Sequence, residues 1–289
     1  MTLKEEKLFC CVCKKLNVYE TVTDFSPSVQ HDLDGRPHGE ERYALTKSIQ
    51  VCPYCRYANF SVDTEIEGFD AEKVVHSGEF LERAKKVSGA KKFILSAYLY
   101  EKARDFITAG YLYMNAAWTF DDENAKNSRT TSKLHEKSKG SNEETKNSHI
   151  SARTFDDKID RERLKSIEVT NENQNLNEKH SQSVHSKDFK CENDEDCAKY
   201  FRIKAAECFA KGGFSEDTAA AHCDCLRRTG DFKAARTFAK KALKILRPEG
   251  ELYDSLKIEI DLCRKKDDSC KVFVPRKKGF FGFFRGKKK

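Results

Sequence analysis

Long apolar runs are missing. No stretch of the chain approaches the roughly 18 uninterrupted apolar residues that a membrane-spanning helix needs. Residues 1–15 have neither the apolar core nor the small-residue cleavage site of a signal peptide. The sequence therefore predicts neither membrane spanning nor export, and the expected location is the cytoplasm. A nucleotide-binding glycine loop, a nucleophile elbow and a metal-protease helix motif are also missing, so no local pattern announces an enzyme. A general surplus of positive charge is missing too. The net charge is +7, but residues 275–289 hold seven Lys and Arg and no acid, which leaves the remainder formally neutral. A basic surface suited to nucleic acid is not what that distribution describes.

Charged residues make up 35% of the 289 and hydrophobic ones only 38%, with a mean hydropathy of −0.75. That is too polar for one densely packed domain of this length. The polarity is concentrated. Residues 121–194 are rich in Asn, Ser, Lys, Glu and Asp and carry only two aromatics, Phe155 and Phe189. Ordering costs about 1–2 kcal/mol per residue of backbone, so this segment is expected to be a disordered insertion.

Twelve cysteines stand out against this background. In a reducing compartment, clustered cysteines read as metal ligands and scattered ones as small apolar residues. Cys10 and Cys13 are separated by two residues, as are Cys52 and Cys55. Each Cys-x-x-Cys can form a tight turn aiming two sulfurs at one ion, and two such turns supply a tetrahedron of thiolates. The second pair follows the strand-like Ser48–Val51 and contains Pro53, the layout of a zinc ribbon. Zinc bound by Cys10, Cys13, Cys52 and Cys55 has no open position for water, so the predicted role is structural, one ion per chain. Iron in place of zinc and a redox-active Cys-x-x-Cys are the competing readings. Cys11 is taken as a bystander that can exchange roles with Cys10. His31 and His38, between the knuckles, are read as surface residues. Cys191, Cys197, Cys208, Cys223, Cys225, Cys263 and Cys270 have irregular spacing and are read as buried or incidental thiols. Trp118 and the tyrosines at 98, 100, 111 and 113 are assigned to the core.

After Asp70 the apolar pattern becomes helical. Helices are expected over 71–87, 91–104 and 106–120, then over 195–211, 216–229, 231–246 and 250–264. Short breaks at Gly230 and at Pro248–Gly250 favour antiparallel pairs. Asp231–Phe232 through Ala242–Leu243 resembles the second helix of a tetratricopeptide repeat, with small residues for close approach and aromatics to fill the gaps. The preceding helix departs from that pattern, with His222 and Cys223 where a Leu-Gly pair is usual.

The knuckle Cys52-Pro53-Tyr54-Cys55-Arg56-Tyr57-Ala58, its partner at Cys10–Cys13 and the helices that follow resemble domain of unknown function 2225, a prokaryotic family. The resemblance spans about 10–120 and 195–265 and implies a zinc ribbon joined to tetratricopeptide-like helices, with no known activity. Arg56 stands where a zinc ribbon commonly has Gly, and the first knuckle has no Pro.

The expected organisation is a mainly α protein. A four-cysteine β domain at 8–60 packs on helices at 71–120 and 195–265, which are interrupted by the insertion and followed by a flexible tail at 266–289. The expected function is that of a non-enzymatic zinc-binding adaptor whose helical groove takes a protein or peptide. The tail alternates cations with paired Phe, at Phe280–Phe281 and Phe283–Phe284. Through residues 276–289 it suits an anionic surface at the inner face of a membrane, and nucleic acid less well.

Overall fold

The computed structural model describes residues 1–85, 89–138 and 193–274, without side chains for 127–138. Two hairpins build the N-terminal end. Strand β1 (Thr2–Phe9) pairs antiparallel with β2 (Leu16–Asp24), and the register closes at Phe9 opposite Leu16. Strands β3 (Gln50–Val51) and β4 (Ala58–Asn59) form a shorter pair closing at Val51 opposite Ala58. Each turn is therefore occupied by one Cys-x-x-Cys. Helix α1 (Gly39–Leu45) lies between the hairpins.

The expected helix over 71–87 is two short ones, α2 (Ala71–Val75) and α3 (Gly78–Arg83). Ser77 decides this. Its hydroxyl accepts from the Phe80 N–H at 3.3 Å, which starts a new helix where the periodicity alone predicts continuation. Val87 lies outside the described residues. The other helices begin where the apolar spacing puts them, α4 (Lys91–Lys102), α5 (Phe106–Ser138), α6 (Asp194–Gly212), α7 (Glu216–Arg228), α8 (Phe232–Ile245) and α9 (Glu251–Lys265), but α5 runs on past its expected end at residue 120.

The polar segment expected to begin at residue 121 starts inside α5. Asp121 and Asp122 are bound by buried arginines, so they belong to the folded body. At the other end α6 begins at Asp194, capped by the Asn193 side chain, which accepts from Asp196 N–H at 2.9 Å. Residues 139–192, most of the expected insertion, lie outside the described residues, as does the tail beyond Val274. The chain divides into two units, Met1–Arg129 with Cys191–Lys289, and Thr130–Lys190. Of the second, only the helical residues Thr130–Ser138 are described.

One apolar core runs through the first unit from the ribbon into the helices. It joins Cys10, Cys52, Cys55 and Tyr57 to Phe80, Phe93, Leu99 and Leu112, and on to Phe201 and Phe209. The molecule is thus mainly helical, with a small β ribbon packed on helices. A second cluster brings Cys223 of α7, Ala235, Ala239 and Ala242 of α8, and Leu256 and Ile260 of α9 together. The three alanines are at most 1% exposed. Their small side chains let α8 lie close to both neighbours. No helix among the described residues is long and apolar enough to cross a membrane.

Candidate metal centre

The two knuckles share one backbone pattern. In the first, Lys14 N–H donates to Cys10 C=O at 2.9 Å and Cys10 N–H to Lys15 C=O at 3.0 Å. In the second, Arg56 N–H donates to Cys52 C=O at 3.0 Å and Cys52 N–H to Tyr57 C=O at 2.8 Å. Lys14 and Arg56 occupy equivalent places and both are left-handed, with φ of 56° and 64°. This is the position where a zinc ribbon commonly has Gly, and here two long cationic residues accept the conformation. Strain of about 1–2 kcal/mol at each is repaid by the hydrogen bonds that close the turns.

The turns face each other. Cys10 Sγ lies 3.6 Å from Cys55 Sγ, and Cys13 Sγ lies 3.5 Å from Cys52 Sγ. All four sulfurs fall within 4.8 Å of one another, and Cys10 and Cys52 are wholly buried. A tetrahedral ion with metal–sulfur bonds of about 2.3 Å spaces its sulfurs about 3.8 Å apart. The four thiols fit that requirement without rearrangement of the backbone. Two supports hold the approach: Cys11 N–H donates to Val62 C=O at 2.8 Å, and the Lys15 ammonium sits 4.8 Å above the Tyr54 ring.

Electrostatics within the cluster are uneven. The Cys55 thiol donating to it, helped by the backbone N–H groups of Cys55 and Tyr54, outweighs burial and holds Cys52 down to about 4. Its hydrogen bond to Cys52 and its burial push Cys55 far above the ordinary thiol range. Burial pushes Cys10 up to about 11. The Cys52 sulfur thus carries charge readily while Cys10 and Cys55 hold their protons. A divalent cation among four sulfurs reverses that balance and displaces the protons, so binding releases acid.

A scan of family models matches residues 3–227 to a family described as uncharacterized protein conserved in bacteria (DUF2225). The chain belongs to this DUF2225 family. The matched span takes in both knuckles and the helices through α7, so the four-cysteine centre lies inside the family's own domain. No curated protein and no solved structure matches the DUF2225 chain.

Cys11 stands apart from the centre, its thiol donating to Thr64 C=O at 3.4 Å. His31 pairs with Pro37 across a short bridge, and His38 Nε2 lies 2.8 Å from Asp32 Oδ1; neither reaches the sulfurs. Cys208, Cys223, Cys225 and Cys263 are buried thiols in helices. Cys270 donates to Asp32 Oδ2 at 3.2 Å. Cys197, expected among the incidental thiols, is disulfide-bonded. Among the described residues the four-cysteine group is the only cluster of His, Cys, Asp or Glu close enough to hold an ion.

Sequence reasoning passed over a second constellation. The run Asp32-Leu33-Asp34-Gly35-Arg36 turns tightly at Gly35, with φ of 84°, and buries all three charges. Asp34 Oδ2 accepts from Trp118 Nε1 at 2.6 Å, and Arg36 Nη2 reaches Trp118 C=O at 2.7 Å and Asp122 Oδ2 at 2.6 Å. Burial, reinforced by nearby Asp224, raises Asp34 to about 6 despite Arg228. Trp118, expected in the core, is 7% exposed and carries this polar contact as well. The available signal was a short Asp-x-Asp-Gly-Arg turn, too charge-dense to be an ordinary solvated loop.

Proposed function

We propose that the protein is a non-enzymatic, zinc-ordered adaptor. Cys10, Cys13, Cys52 and Cys55 hold one zinc ion, and the helical region offers a groove to a protein or peptide partner. The observation that carries the metal half is the convergence of four sulfurs within 4.8 Å from turns 38 residues apart in sequence. Four thiolates complete a tetrahedral shell, so the ion contributes folding free energy and leaves no site for substrate. The second hairpin needs that contribution, because its strands of two residues are too short to stand alone. The adaptor half draws support from the close α7–α8–α9 packing over alanines, the packing that stacked helix pairs use to build binding surfaces.

Metal analysis of the purified chain tests the ligand set. The expected content is about one zinc per chain. Cys52→Ser is expected to abolish it and Cys11→Ser to leave it intact. Zinc retained by Cys52→Ser, or iron found in its place, overturns the assignment. For the adaptor half, a partner recovered from the native host should be lost with Cys52→Ser if the ribbon orders the binding surface.

A further inference from the structure

A cavity of about 420 Å³ opens between the 31–35 turn, α5 and the first turns of α7 and α9. Tyr111, Met114, Trp118 and Leu252 give it apolar and aromatic walls, beside the buried carboxylates of Asp32 and Asp34. Its rim is acidic. Glu216, Asp217 and Glu251 line it, all three are exposed, and none is in an ion pair among the described residues. Glu216 and Glu251 stand in the first turns of their helices. On the α9 side Ser255 also lines the cavity, is 6% exposed, and leaves its Oγ without a hydrogen-bond partner. The walls therefore hold an unused polar group beneath an unneutralised acidic mouth.

The last described residues lead to this opening. Leu33 N–H donates to Lys271 C=O at 2.9 Å, and Phe273 N–H donates to His31 C=O at 2.8 Å. Phe273 itself lines the cavity. The chain then continues into residues 276–289, with seven cations and four phenylalanines and no acid. Lys277 is four residues beyond Phe273, hence within about 14 Å of it, and Phe281 within about 28 Å.

We propose that the basic, Phe-rich tail of the same chain docks in this cavity. Phe rings enter the aromatic interior, and Lys and Arg pair with Glu216, Asp217 and Glu251. Charge complementarity, the exit point of the chain and the reach of the tail all select this occupant. Tethering raises its effective concentration to the millimolar range, so weak contacts suffice. The inference goes beyond the zinc-adaptor reading and does not depend on it. A docked tail is withheld from any other surface, which makes the cavity a self-occupied site.

The test uses the full-length chain with the photo-crosslinker p-benzoylphenylalanine in place of Phe281. The expected result is a cross-link within one chain that maps to 111–118, 216–221 or 251–255. Its yield should fall about tenfold when Glu216→Lys, Asp217→Lys and Glu251→Lys are combined, and also in 1 M salt, where screening acts within about 3 Å. Should the lysine triple unfold, the neutral triple Glu216→Gln, Asp217→Asn and Glu251→Gln is expected to lower the yield in the same direction. Cross-links that map elsewhere, that join two chains, or that keep their yield in the neutral triple overturn the proposal. So does loss of the intramolecular cross-link only on adding phosphatidylserine vesicles together with an unchanged yield in the triple. Zinc content measured on the same samples separates this outcome from failure of the metal reading.

Discussion

His222 sits between two phenyl rings, 6.0 Å from the Phe209 centroid and 4.4 Å from that of Phe238. The imidazole fills the space between the rings as an apolar side chain would, at a cost. Burial lowers it from 6.5 to about 4. The native ring therefore stays neutral down to about pH 4, whereas in the unfolded chain it takes a proton below its ordinary 6.5. Stability from this residue is intact above pH 6.5 and is lost progressively as pH falls from 6.5 to 4. Thermal unfolding across that window should show a falling Tm in the parent, with a shallower fall in His222→Leu. Equal slopes would assign the acid sensitivity to other groups. Beside it, Cys223 is wholly buried. Its thiol finds Ala235 C=O at 3.5 Å, so the side chain is accommodated by a hydrogen bond to the partner helix.

Helices α5 and α6 meet where α5 has no side chain. A Cβ on Gly110 would stand 2.6 Å from Cε1 of Phe209, a ring that is wholly buried. Phe209 stacks edge-on to Tyr111 at 5.3 Å and cannot swing away without breaking that contact. Gly110→Ala is accordingly expected to destabilise by about 1–3 kcal/mol through overpacking, even though Ala is favoured over Gly within a helix. Denaturant titration measures this. A variant as stable as the parent would mean that α6 shifts freely against α5. At Gly212 the same substitution meets the Ile107 side chain, Cδ1 at 2.5 Å and Cγ1 at 3.0 Å, which can turn away more readily than a buried ring, so its cost is smaller.

On the scale of the whole molecule, Asp121 ties three separate parts of the chain together. Arg36 from the 32–36 turn reaches it at 3.6 Å, Arg202 of α6 binds it through both amino groups, and Arg228 of α7 lies 3.1 Å away. Asp122 does the same for Arg36 and for Arg42 of α1. The Arg202 side chain is 4% exposed and pairs with no other acid among the described residues, so removing Asp121 leaves its charge buried without a counterion, while Arg36 keeps Asp122. Asp121→Ala is expected to cost about 3 kcal/mol or more, read by equilibrium unfolding. A cost near zero would mean that water reaches the arginines and neutralises the need for Asp121. A second buried set, Arg227 with Asp224 and with Glu259 at 2.7 Å, ties α7 to α9 by the same means.

What could be read from residues alone was what depends on neighbours in sequence. Cys-x-x-Cys sets two sulfurs on one turn because the intervening backbone is short. Likewise the spacing of Phe93, Ala97 and Tyr100, or of Ala235, Ala239 and Ala242, marks one face of a helix because the helical repeat is local. The break at Ser77 was legible only as a cap, and the apolar pattern across it hid it. Asp121 and Asp122 looked like the start of a solvated segment, since nothing beside them in the chain is basic. Their arginines come from positions 80 or more residues away, and only folding brings opposite charges together over that separation. The same holds for which thiol of the Cys10–Cys11 pair faces the other knuckle. Cys11 is turned toward Thr64 by a hydrogen bond from its own N–H to Val62 C=O, a contact between two turns distant in sequence that no spacing rule contains.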